Sequence, residues 1–235
     1  MVWSSVPPPL CSCQQQLCDA KYMGMETNWA AEQLQTIRTL MERSAVYRRA
    51  LAPIMIFVGL VGMLATAIGF LFRFDSPSAF EYLWTDAAMF AFAGAVLISR
   101  RQAFKAKEPF LSPPARRVVQ AMLPSWLAGL IGALVFRLVA VNESQLFWWL
   151  PPIWMVLYGL ALYGAGFFTP RGIRLLGWCF FLSGLAAIVI LAIKSVFGPL
   201  PPLIYAHFLM GFFFGVLQLA YGAYLYLTEK GKNAA

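Results

Sequence analysis

Asp86, Arg137, Gln218 and Tyr221 stand inside or beside long apolar runs, so any chemistry in this 235-residue sequence would start with them. An ionisable group at membrane depth is costly, and by default it marks a pathway or a pairing. Asp86 precedes Arg100 by about 14 residues, roughly 21 Å of helix. It is expected to face a helix bundle and seek a donor, with Arg137 the natural candidate. Two chemistries follow. An interhelical salt bridge or hydrogen bond is the favoured one; an ion or solute site open to the outside is the other.

Gln218 is deeper, about 11 residues or roughly 16 Å before Glu229. Tyr221 follows at a spacing that lets the two share a face. An interhelical hydrogen bond is favoured here over pore lining, because one glutamine makes a poor conduction path. Gly211 and Gly215 precede it as a GxxxG pair, a spacing that lets helix backbones approach closely. Arg137, Lys194 and His207 each lie about 20 residues or slightly more from a basic or acidic marker at the opposite end of their run. They therefore land at the outer boundary and need no special role. Arg73 is within snorkelling reach of the same boundary.

Catalytic sets are missing. There is one histidine, hence no HExxH metal site and no histidine pair for a haem. No GxSxG, P-loop or dinucleotide fingerprint occurs. No cofactor or resident metal is expected, and an intramembrane enzyme is an unsupported alternative. Cys11, Cys13 and Cys18 invite a metal reading, but three thiols without a nearby histidine fall short of a four-ligand site, so free thiols are expected. Cys179 reads as a small buried hydrophobe.

Composition says what must position these residues. The chain is 60% hydrophobic, 16% aromatic and 12% charged; soluble domains carry about twice that charged fraction. Lipid can solvate such a surface and water cannot. Six apolar stretches reach spanning length: 53–72, 78–99, 118–140, 146–168, 175–196 and 203–227. Strands of a barrel would be shorter and would alternate in polarity. The fold class is therefore all-α, an integral membrane bundle of six transmembrane helices. All but Arg73, Arg137 and Lys194 of the 18 Lys and Arg fall on one side if the N-terminus is inside, which sets both termini in the cytoplasm. That placement also accounts for the net charge of +8 without nucleic acid as a partner.

The ends carry markers. Ser76-Pro77 reads as an N-cap followed by proline at the first helical position, and Glu81 suits the early turns of that helix. Trp148, Trp149 and Trp154 read as an interfacial belt, and 169–172 as the turn after the fourth span.

Residues 1–25 contain Pro7-Pro8-Pro9 and Gln14-Gln15-Gln16 and show no periodicity; disorder is expected. They lack the pattern of a cleavable signal peptide, and Met23 or Met25 are alternative starts. Residues 26–52 form an amphipathic pattern, with Leu34, Ile37, Met41 and Ala45 on one face. Interfacial anchoring is its favoured role, and docking of a cytoplasmic protein the sharper one. The transmembrane domain occupies 53–228, and 229–235 is a cytoplasmic tail. The loop from Arg100 to Arg117 fixes topology; binding of anionic lipid head groups is its alternative.

The stretches 33–43, 112–120 and 172–178 resemble those of uncharacterised bacterial six-helix inner-membrane proteins. The likeness covers about residues 26–230 and implies a bacterial cytoplasmic membrane, with no substrate and no site residues. The leading functional expectation is a non-enzymatic accessory or regulatory membrane component. The alternative is a small-solute or ion transporter or channel with an outward-facing polar site around Asp86 and Arg137.

Overall fold

The computed structural model describes residues 33, 35, 51–106, 113–139, 146–169 and 171–233. The chain divides into two units, Met1–Tyr47 and Arg48–Ala235. In the first, Gln33 and Gln35 are described, both helical and exposed. The expected tail with its cysteines lies outside the described residues, and so does nearly all of the expected amphipathic helix.

In the second unit every regular element among the described residues is helical. Among the described residues, six helices are long and apolar enough to cross a membrane. They are α1 (Leu51–Leu71), α2 (Pro77–Ala106), α3 (Pro113–Val139), α4 (Leu150–Ala165, after a 3-10 turn at Leu146–Trp149), α5 (Arg171–Phe197) and α6. The last is α-helical over Ile204–Met210, π-helical over Gly211–Leu217 and α-helical again over Gln218–Asn233. The Ser76 hydroxyl accepts from the Ala79 amide at 3.3 Å, so Ser76 and Pro77 open α2 as a cap and a first-turn proline should.

Consecutive helices run antiparallel. Phe57 of α1 meets Gly94 and Phe90 of α2, and Phe92 of α2 meets Trp126 of α3 edge-on. Trp154 of α4 donates to the Gly129 carbonyl of α3 at 3.2 Å. The bundle therefore has a basic end, with Arg100, Arg101, Arg116, Arg117, Arg171 and Arg174, and an aromatic end where Phe80, Trp84, Phe147 and Trp148 are buried together.

Two helix pairs are welded by missing side chains. On α6, Gly211 faces Thr66, Gly215 faces Met63 and Gly222 faces Ile56 of α1. From the α1 side, Gly59 and Gly62 lie against the backbone of α6. In α4 and α5, Gly159 and Gly177 face each other, and a Cβ on Gly177 would sit 2.7 Å from the Tyr163 amide nitrogen. Close approach of this kind recovers dispersion energy that lipid cannot provide on a bulkier surface. A second core joins the same four helices through Met55, Met155, Phe180 and Leu225. By contrast, α2 beyond its first turns and most of α3 face outward, with Phe90, Leu97, Ile131 and Leu134 exposed.

Candidate functional site

The turn between α1 and α2 prepares the aromatic end. Arg73 has φ 50°, the left-handed region where glycine is usual. The Phe74 amide bonds back to the Gly69 carbonyl at 3.0 Å, closing α1 in a Schellman-like turn. This aims the Phe74 carbonyl at His207 of α6, whose Nε2 lies 3.1 Å away. On the other side of the ring, Trp84 Nε1–H of α2 donates to His207 Nδ1 at 3.1 Å. An indole nitrogen can only donate. Nδ1 must then accept, Nε2 carries the proton, and the ring is neutral with both nitrogens engaged. His207 is fully buried, with Phe80 edge-on at 4.9 Å between ring centroids, and a Cβ on Gly69 would collide with its ring. His207, expected from its depth to need no special role, ties α6 to α2 and to the α1–α2 turn.

Asp86 and Arg137 are not joined as expected. Asp86 is exposed on the outward face of α2. The Arg137 guanidinium stacks over the Tyr82 ring at 3.9 Å and lies close enough to Glu81 to interact electrostatically. Glu81, read from sequence as a dipole partner in an early turn, is buried. Helical phase separates the two acids: Asp86 lies about 140° round α2 from Glu81 and one turn beyond Tyr82, and Arg137, stacked on Tyr82, lies toward Glu81 rather than reaching on to Asp86.

At mid-bundle the Gln218 side-chain amide donates to the Tyr158 hydroxyl of α4. Tyr158 is wedged between Phe180 and Phe214, with centroids at 5.0 and 5.2 Å. Gln218 is fully buried, and its Oε1 has no hydrogen-bond partner among the described residues. Tyr221 stacks beside Tyr224, with its hydroxyl against Gly172 of α5. Gly211 and Gly215 lie in the contact with α1, within the π-helical stretch between His207 and Gln218. A π-helical turn shifts helical phase, and such turns are frequent at functional sites.

Two further expectations need correction. Trp148 forms no interfacial belt; it is buried and donates to the Pro201 carbonyl at 2.7 Å, pinning the α5–α6 connection. Cys179 is exposed on α5 rather than buried.

Fold and sites together define, among the described residues, an all-helical arrangement with six helices of membrane-crossing length, in which the buried His207 and Gln218 bond between helices. Comparison with family models, with curated proteins and with solved structures finds no match.

Proposed function

We propose that this is a multi-pass protein of a bacterial cytoplasmic membrane, with both termini in the cytoplasm, that acts as a non-enzymatic accessory or regulatory component by assembling with another membrane component. The observation that carries the reading is the contrast between polar groups. His207 and Gln218 spend their bonds on Trp84, Phe74 and Tyr158, while Asp86 points away from the bundle. A group held in interhelical bonds is not offered to a passing solute. A carboxylate on an outward face within a bilayer calls for a donor from outside the chain. The same contrast counts against an outward-facing transport site built on Asp86 and Arg137.

The basic end is assigned to the cytoplasm, where arginines and lysines are retained and anionic lipid head groups gather. A photocrosslinking side chain at Met89, about one turn from Asp86 and exposed, tests the assembly reading in native membranes. A discrete protein adduct is expected; capture of lipid alone would refute it.

A further inference from the structure

We propose that the outward face of α2 is the interface of a two-fold symmetric dimer, in which Asp86 of each copy pairs with Arg137 of the other. This rests on the assembly reading above and names the partner as a second copy of this chain.

Lipid accounts for the apolar residues of this face and not for the acid. Tyr82, Met89, Phe90 and Leu97 are exposed along it and suit acyl chains. Asp86 is exposed among them, roughly 21 Å of helix from Arg100 in a hydrocarbon layer of about 30 Å. It is thus several ångströms below the nearer surface, and its side chain is too short to snorkel there.

The required base is on the same face. Tyr82 lies one helical turn from Asp86, and the Arg137 guanidinium lies over the Tyr82 ring. Acid and base therefore differ in depth by about 6 Å, one turn of helix, which an arginine side chain can bridge. Stacking uses the flat face of the guanidinium and leaves its in-plane N–H groups free to approach a carboxylate. Within one copy Arg137 is drawn to Tyr82 and Glu81. A two-fold axis along the membrane normal preserves depth and exchanges the partners. A face carrying acid and base at nearly one depth is then complementary to itself, as an isologous interface requires. Ala93, two turns beyond Asp86 on the same stripe and also exposed, lets two α2 helices come close.

The test uses full-length chains carrying two different affinity tags, co-expressed and extracted in mild detergent. Wild-type copies are expected to co-purify. Asp86→Arg with itself, and Arg137→Asp with itself, place like charges together and should each lower recovery at least about tenfold. Asp86→Arg mixed with Arg137→Asp restores opposite charges across the interface and should recover to within about twofold of wild type. The neutral variants Asp86→Asn and Arg137→Gln provide a milder version, with recovery reduced and thermal stability kept. Same-variant pairs that co-purify like wild type would overturn the proposal, and so would a mixed pair that stays apart while the neutral variants dimerise fully. The Met89 crosslink separates the two readings. An adduct of twice the chain mass supports the dimer. An adduct with a different protein overturns the dimer and leaves the assembly reading standing, whereas lipid capture alone removes both.

Discussion

Trp84 and His207 meet at 3.1 Å with the indole donating to Nδ1, although 123 residues separate them in the chain. The contact fixes the tautomer of the only histidine and links α2 to α6 where the α1–α2 turn also arrives. Trp84→Phe keeps most of the apolar volume and removes the donor. Interhelical hydrogen bonds in membrane proteins average about 0.6 kcal/mol, so the loss should be about that and below about 2 kcal/mol. His207→Ala also forfeits the Phe74 bond and opens a cavity beside Phe80, for a loss of about 2–4 kcal/mol. Thermal unfolding in detergent ranks the two, and equal losses would show that the Phe74 bond and the filled space beside Phe80 contribute nothing beyond the Trp84 contact.

The glycine contacts predict opposite signs for one substitution at two places. A Cβ on Gly62 would lie 2.6 Å from the Phe214 carbonyl carbon, backbone that cannot step aside. Gly62→Ala should therefore force α1 from α6 at a cost of about 1–3 kcal/mol. Gly132 on α3 has nothing within 4 Å of the same position. There alanine brings only its better helix propensity, a gain of about 0.5–1 kcal/mol. The pair is read by midpoint shifts in denaturant or temperature. Destabilisation at both positions would mean that α3 is covered in the functional assembly.

Period and length make the six helices legible in the sequence, because bilayer thickness demands long uninterrupted apolar runs. Gly211 and Gly215 were legible as a contact, since their spacing leaves one reading for a helix surface. The partner helix was not legible, because nothing in the GxxxG pattern says that α1 lies opposite. Asp86 shows the limit most clearly. Its depth follows from counting residues, but its direction depends on which side of α2 its neighbours occupy. The expectation that a carboxylate faces inward rests on depth alone and carries no information on helical phase. His207 was missed for the converse reason: residue counting gave its depth and could not reveal that Trp84, far off in sequence, would close over it.

The left-handed Arg73 offers a stabilising change. With φ 50°, a residue bearing a Cβ pays about 1–2 kcal/mol in that region. Glycine relieves the strain and loses part of the gain to its larger freedom when unfolded. Arg73→Gly should raise stability by about 0.5–1 kcal/mol, seen as a higher unfolding temperature with the Phe74–His207 contact intact. A lower temperature would mean that the exposed guanidinium makes an anchoring contribution larger than the strain.

Gln218 and Tyr158 predict a double mutant more stable than one of its parents. The amide donates to the hydroxyl, and its own oxygen has no hydrogen-bond partner among the described residues. Tyr158→Phe preserves the ring packing against Phe180 and Phe214 but leaves a fully buried amide with no acceptor, for a loss of about 1–3 kcal/mol. Gln218→Leu removes the amide together with its unsatisfied oxygen but leaves the buried Tyr158 hydroxyl without that partner, so its cost should be about 1–2 kcal/mol. Once leucine has replaced the glutamine, removing the hydroxyl takes away nothing that is bonded to an amide. Tyr158→Phe combined with Gln218→Leu should therefore equal or exceed Gln218→Leu alone and exceed Tyr158→Phe alone, a coupling that a double-mutant cycle measures directly. Losses that simply add would mean the two side chains act independently, and the bond joining α4 to α6 would carry no weight in holding the bundle together.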